Sequence, residues 1–182
     1  MVQLSRLLLS LALVAASLAT PLKRTVAQIE ADLTTLQSQV TSLDNNIKGF
    51  PASGLTGALE IHDAAAGLES SLNTATSDVK ATPTVSEADA TTILNTVQNN
   101  IEPLVIDALT RIAGDRAAFD AQPIIGLSAL VLVDLQTLKN DTDAFSNALI
   151  AAAPADLKTQ ATAIKTAIDA AFSKAIAAFA SA

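Results

Sequence analysis

The sequence has no cysteine, tryptophan or tyrosine, and only one histidine and five phenylalanines among 182 residues. Without cysteine it has no disulfide framework, no thiol nucleophile and no cysteine zinc site. One histidine cannot supply a multi-histidine centre, so we expect no metal and no cofactor. Eleven basic against eighteen acidic residues argue against nucleic-acid binding, and few aromatic side chains are available to stack on bases. These absences favour an α-helical binding or structural protein over an enzyme.

Half of the sequence is nevertheless apolar, and alanine accounts for much of that half, with 37 residues. The length suits one domain and is sufficient to bury a substantial core. Because aromatic side chains are scarce, alanine and leucine must build that core.

Residues 1–19 are predicted to be a secretory signal peptide. Arg6 gives a positive start, Leu7 to Leu18 form an apolar run, and Ser17-Leu18-Ala19 places small residues where a signal peptidase reads. The run is shorter than the ~20 apolar residues that cross a bilayer. We therefore expect a secreted, extracellular or wall-associated protein with no transmembrane span; an uncleaved anchor is the alternative.

A dibasic pair, Lys23-Arg24, follows the predicted signal. Residues 20–24 are a candidate propeptide that ends at this pair, although the two residues could equally be solvated charges. Cleavage after both segments would leave one domain, residues 25–182. Its net charge would change from -7 to -10, because three basic residues and no acidic one are removed.

Apolar residues recur every three or four positions through this domain, which predicts amphipathic helices. The first carries a continuous seam: Val26, Ile29, Leu33, Leu36, Val40, Leu43 and Ile47. Four more are predicted: Leu55 to Lys80, Ser86 to Phe119, Ile124 to Ala151, and Pro154 to within a residue or two of the C-terminus. Short breaks between long helices predict an all-α, antiparallel bundle of about five amphipathic helices.

Two segments of this pattern carry further predictions. Pro103 lies inside the third helix and lacks an N–H, so it must kink or split that helix. The segment Ile124 to Leu135 is apolar nearly all round, which predicts a buried helix.

No catalytic motif stands out in the sequence. His62 has acidic neighbours but no identifiable catalytic partner, so we interpret it as a helix-surface residue. Asp134 falls on the apolar side of the fourth helix. It is either a polar group on the wall of a ligand cavity or an edge carboxylate paired with Arg111, Arg116 or a lysine.

The small residues on the inner helix faces allow either close helix packing or a tunnel with an apolar occupant. If a ligand binds, we expect the inner face to line it: Leu33, Leu36, Val40, Leu72, Ile101, Leu127, Val131, Leu138, Ile168 and Phe172. The same residues are the predicted core. Asn140 begins the glycosylation acceptor Asn140-Asp141-Thr142 and should be accessible.

The chain resembles the fungal hydrophobic surface-binding protein A family, which includes cell-wall galactomannoproteins and antigenic mannoproteins. The likeness covers about Thr25 to Phe179. It rests on the signal with its dibasic pair, the opening heptads from Val26 to Leu43, Ile101-x-Pro103-Leu104 with Ala108-Leu109-x-x-Ile112, and the closing segment Leu157 to Phe179.

The resemblance implies a secreted or wall-associated helical protein without enzymatic activity. Such proteins bind hydrophobic surfaces or hold lipids and fatty acids between their helices. The partner would be an apolar ligand or surface, with cell-wall polysaccharide as a further candidate. A lipid could enter a preformed tunnel, or the bundle could open on a surface. The alternative function is a structural wall mannoprotein or antigen without a lipid ligand. The sequence lacks a Ser/Thr-rich tail and a lipid-anchor signal, so we expect a freely secreted form.

Overall fold

The computed structural model describes residues 25–180, so the predicted signal peptide and candidate propeptide lie outside the described residues. Within 25–180 the chain is helical and has no strand. Its α-helices are α1 (Val26–Gly49), α2 (Gly54–Ala81), α3 (Glu87–Thr96), α4 (Glu102–Gly114), α5 (Arg116–Asp120), α6 (Leu127–Ala152) and α7 (Lys158–Ala180). A π-helical turn, Val97–Ile101, joins α3 to α4.

The long helices form a closed ring in the order α1, α2, α6, α7, α4 and back to α1. Each helix turns its apolar stripe towards the axis of the ring, where the core lies. Long elements that follow one another in sequence run antiparallel, as predicted. The ring also places α2 beside α6, α4 beside α7 and α1 beside α4. Each of these pairs runs in the same direction, because one long antiparallel helix separates its members in sequence.

Pro103 interrupts the third predicted helix, as expected. The interruption is a π-helical turn that lies one turn before the proline. The Glu102 N–H bonds to the Val97 carbonyl oxygen, five residues back, and Pro103 sits in the first turn of α4. Proline cannot donate to the carbonyl four residues before it, and its ring clashes there. A π-helical turn relieves this conflict without ending the element. The same element is interrupted again at Asp115, so its last turn is the separate helix α5.

The fourth predicted helix begins three residues later than expected. Gly126 has a φ of +97°, a left-handed conformation that favours glycine, and α6 starts only at Leu127. Ile124 is about half exposed and Ile125 is fully exposed in the loop before it. The prediction that Ile124 to Leu135 is a buried helix is therefore wrong. Val133 is also exposed, because α6 buries only the face that looks into the ring.

The last helix also starts later than predicted, at Lys158 rather than near Pro154. Pro154 instead opens a turn in which its carbonyl oxygen accepts from the Leu157 N–H, 3.1 Å away.

Three of the five phenylalanines close one end of the bundle. The Phe50 ring stacks on the Phe119 ring at 4.1 Å between centroids, and Phe179 meets Phe119 edge-on at 5.8 Å. Arg116 lies 5.6 Å from the centre of the Phe179 ring and donates to the Ala178 and Phe179 carbonyl oxygens. This end is therefore held by aromatic packing and by a cation that satisfies carbonyls in the last turn of α7.

None of the helices within 25–180 is both long and apolar enough to cross a membrane.

Candidate functional site

A cavity of about 110 Å³ lies on the axis of the ring. It is lined by 27 residues, and only Thr142, Ser146 and Lys165 among them have polar side chains. The other two phenylalanines, Phe145 and Phe172, belong to this lining. The scarce aromatic side chains are thus divided between one closed end of the bundle and its interior space.

A second cavity of about 60 Å³ follows on the same axis. Its lining is apolar apart from Asp134. It lies nearer the end of the bundle that Phe50, Phe119 and Phe179 close. The reason is that α1 lines the larger cavity from Ile29 to Val40 and the smaller one from Val40 to Ile47, just before Phe50.

One layer of side chains separates the two cavities. We call this layer the partition; each long helix of the ring contributes one residue that lines both spaces: Val40, Leu68, Val105, Leu138 and Phe172. The two cavities are therefore coaxial and meet end to end.

Empty space of this kind is costly to a folded protein. Apolar space that stays unfilled loses packing contacts, at up to ~24 cal/mol per Å³ where the cavity is fully closed. Water fills a cavity stably only where it finds two to four polar partners. The apolar linings offer few such partners, so the cavities are suited to an apolar occupant.

The polar side chains of the larger cavity all lie where α6 meets α7. Thr142 and Ser146 are four residues apart on one face of α6, and Lys165 faces them from α7. Within residues 25–180, neither hydroxyl has a hydrogen-bond partner, whereas many other Ser and Thr hydroxyls donate to the carbonyl four residues back. These two hydroxyls are free to bond a ligand.

Lys165 belongs to an ion-pair network on this side of the cavity. Its ammonium group contacts Asp143 and lies 2.6 Å from an Asp169 carboxylate oxygen, and Lys139 lies 2.6 Å from Asp143. Burial opposes the charged form of Asp143, but hydrogen bonds from the two lysines outweigh it and lower its pKa to about 2. Burial likewise opposes the charge on Lys165, and its carboxylate partners nevertheless raise its pKa. Lys165 is therefore a fixed positive charge at the cavity wall.

Asp134 pairs with His62. The Asp134 Oδ2 atom lies 2.9 Å from His62 Nδ1, and the carboxylate is 13% exposed against 37% for the imidazole. The predicted pairing with Arg111, Arg116 or a lysine is wrong, because the ring places α6 against α2. Arg111 pairs instead with the buried Asp44, and Arg116 pairs with Asp120. Asp134 also lines the smaller cavity, and His62 is half-exposed as expected for a helix-surface residue.

A family model described as hydrophobic surface binding protein A matches residues 26–151, well over half of the chain. The chain belongs to the hydrophobic surface binding protein A family. A comparison with curated protein sequences finds no significant match.

Solved structures resemble this family member along most of its length. The crystal structure of AfMP4p in complex with palmitic acid has a TM-score of 0.79 and 35% identity, over 85% of this chain and 99% of that one. Ligand-binding domain 1 of the Penicillium marneffei MP1 protein, complexed with arachidonic acids, has a TM-score of 0.77 at 15% identity, over 85% and 98%. Domain 2 of the same protein, with multiple arachidonic acids, has a TM-score of 0.76 at 16%, over 88% and 99%. The two MP1 domains establish similarity of fold alone.

All ten predicted ligand-lining residues of this family member are buried. Seven of them line the larger cavity: Leu36, Val40, Leu72, Ile101, Leu138, Ile168 and Phe172. Val131 lines the smaller cavity, whereas Leu33 and Leu127 pack in the core outside both. Contact with a ligand stays a prediction for the eight residues that line a cavity.

The sequence reasoning missed Thr142, Ser146 and Lys165. Thr142 follows Leu138 by one helical turn, so the register of α6 was a usable signal for it. Lys165 follows Ala161 by one helical turn and precedes Ile168 by three residues, so the register of α7 offered the same signal. Asn140, the predicted glycosylation acceptor, is exposed on α6. Among residues 25–180, no cluster of three or more histidines and acidic residues could hold a metal ion.

Proposed function

We propose that this member of the hydrophobic surface binding protein A family binds long-chain fatty acids in its apolar interior, with the carboxylate in the larger cavity. The observation that carries the proposal is an apolar lining that continues along α6 from Ala152 in the larger cavity to Val131 in the smaller one, about 31 Å at 1.5 Å per residue. A bilayer core of ~30 Å contains two layers of acyl chains, so one chain needs about 15 Å. The related structure with palmitic acid supports the same class of ligand.

Hydrophobic transfer would supply most of the affinity, since each buried CH₂ contributes ~0.8 kcal/mol. The carboxylate of the ligand would lie beside Thr142, Ser146 and Lys165. The two hydroxyls have free hydrogen-bonding capacity. Asp143 and Asp169 each accept one hydrogen bond from the Lys165 ammonium group, which leaves its third N–H to donate to a ligand carboxylate. Asp134 carries the wrong charge for this role.

Filling the cavity tests this proposal. Ala161 lines the larger cavity, and Ala163 is exposed on the same helix. Displacement of a fluorescent fatty acid by palmitic acid should weaken at least about tenfold in Ala161→Phe, because the ring takes the place of several methylenes worth about fourfold each. Ala163→Phe should bind as the unsubstituted protein does. Equal affinity in both variants, or no saturable displacement at all, would rule out the cavity as the site.

The proposed carboxylate position has its own test. Palmitic acid should bind more tightly than its methyl ester, and Lys165→Met should remove that preference while Lys158→Met, an exposed change on α7, should keep it. Charged hydrogen bonds contribute ~1.5–3 kcal/mol, so the preference should be about 10- to 150-fold. An unchanged preference in Lys165→Met would place the carboxylate elsewhere.

A second candidate function is adsorption to hydrophobic surfaces through the loop before α6. Ile124 and Ile125 are exposed there, and the family description supports this activity. Replacing both by serine should reduce adsorption to alkyl-coated beads, whereas Leu59→Ser, at an exposed position on α2, should not. If the loop variant adsorbs normally, the loop is not the adsorbing surface.

We infer secretion, wall association and use of Asn140 as a glycan acceptor from the sequence pattern, with cell-wall polysaccharide as a candidate partner. Mass spectrometry of the native secreted protein would identify the start site, the glycan and any bound lipid. Binding without catalysis is proposed as the mode of action. Hydrolase activity that disappears in His62→Ala would contradict it. A structural mannoprotein without a ligand remains the alternative function, and the apolar cavities argue against it.

A further inference from the structure

The partition divides the interior of the bundle into two compartments. Its five residues come from five different helices, and each side chain borders both spaces. Phe172 and Leu138 are among them, and both are buried. The separation is therefore one side chain thick, and rotation of those side chains would join the two spaces.

A ligand held at the proposed carboxylate position would reach this layer. Along α6 the distance from Ser146 to Ala152 is about 9 Å, and from Ser146 to Leu138 about 12 Å, at 1.5 Å per residue. Both are shorter than the ~15 Å that one acyl chain occupies in a bilayer leaflet. In the direction of Leu138, the smaller cavity extends the available space to Val131, which is about 22 Å from Ser146 along α6 at the same rise per residue.

We propose that the partition selects fatty acids by chain length, with the smaller cavity as the compartment for the chain end. This inference rests on the proposed fatty-acid function. Chains that end before Leu138 fit in the larger cavity alone. Longer chains displace Leu138 and Phe172 and place their last carbons among the apolar residues between Val131 and Leu138.

A matched pair of substitutions on α6 isolates this effect. Leu138 and Leu127 are both 6% exposed, but Leu138 lines both cavities and Leu127 lines neither. Leu138→Ala and Leu127→Ala remove the same atoms from equally buried positions. Displacement of a fluorescent fatty acid by decanoic, palmitic and behenic acid would give the affinity ratio of long to short chains for each variant.

Leu138→Ala should raise that ratio by up to about fourfold for each additional methylene that passes the partition. Leu127→Ala should leave the ratio as in the unsubstituted protein. The same ratio in both variants would overturn the role of the partition while leaving fatty-acid binding in place. Failure of every acid to bind the unsubstituted protein would instead overturn the proposed function. If Leu138→Ala does not fold, Phe172→Leu tests the same prediction, with Phe145→Leu as its control. Phe172 lines both cavities and Phe145 only the larger one, so only Phe172→Leu should raise the ratio.

Discussion

The pair of His62 and Asp134 joins α2 to α6 where the wall of the smaller cavity meets the surface. The hydrogen bond to Asp134 raises the pKa of His62 above its ordinary value of 6.5, and the nearby Asp63 and Glu69 act in the same direction. Burial raises the pKa of Asp134, although its bond to His62 opposes that change. Both shifts mean that the folded protein holds protons more tightly here than the unfolded chain does.

Asp134→Asn should lower the pKa of His62 towards 6.5, because it removes the negative charge of the carboxylate. Asparagine has nearly the same shape, so the wall of the smaller cavity keeps its packing. His62 is the only histidine of the sequence, so its ring signal in a proton NMR titration is unambiguous. The same pKa in both proteins would mean that the pair does not form in solution.

The same pair makes stability depend on pH. Its contribution should be fully present below pH 6.5 as long as Asp134 is ionised, and it should be lost as the pH rises through the raised pKa of folded His62, because the folded state there binds more protons. Urea unfolding should therefore show a larger difference between the unsubstituted protein and Asp134→Asn at mildly acidic pH than at alkaline pH. A difference that grows with pH would contradict this assignment.

At the scale of elements, the last turn of α7 depends on α5. Arg116 donates to two carbonyl oxygens there and lies over Phe179. Arg116→Met should destabilise the protein by ~1.5–3 kcal/mol, the usual range for charged hydrogen bonds, and should speed amide exchange at the end of α7. Lys174→Met, at an exposed position on the same helix, should change neither the free energy of unfolding nor exchange. Equal exchange in the two variants would show that Arg116 does not hold this turn.

The start of α3 has a side-chain cap, next to two residues that line the larger cavity, Val85 and Ala90. Ser86 Oγ accepts from the Asp89 N–H at 3.2 Å and donates to the Asp89 carboxylate. Ser86→Ala should cost ~1 kcal/mol of unfolding free energy, measured by urea titration. Thr91→Ala, which removes a hydroxyl bonded within the same helix, should cost less. An equal cost would mean that the cap adds nothing.

Helix positions could be predicted where the apolar period was unbroken, as in α1, and where a cap was visible, as at Ser86. The starts of α6 and α7 could not. Ile124 and Ile125 continue an apolar pattern, but they lie before the left-handed Gly126, and α6 begins after that glycine. Proline suits both a loop turn and the first turn of a helix, so the sequence around Pro154 fits either structure. Tertiary packing decides between the two.

At the scale of the whole molecule, the order of helices around the ring decides which buried residues face open space. Leu33 and Leu36 are successive positions on the apolar seam of α1 and are both buried, yet only Leu36 lines a cavity. Periodicity predicted the face and could not separate packing from lining, because that depends on which helix lies opposite. The partner of Asp134 was missed for the same reason.

A ligand that fills the larger cavity should stabilise the fold as a whole. Binding at a concentration of 100 times Kd adds ~2.7 kcal/mol, which for a domain of this size raises Tm by about 5–10 °C. A thermal melt with palmitic acid should show this rise, and Ala161→Phe should show little of it. A rise of the same size in Ala161→Phe would place the ligand outside this cavity.

Calorimetric titration of palmitic acid into lipid-free protein at several temperatures tests the central claim most directly. Burial of an acyl chain in the apolar interior predicts saturable binding with a negative heat-capacity change. The absence of saturable heat at every temperature, or binding without a negative heat-capacity change, would contradict the account.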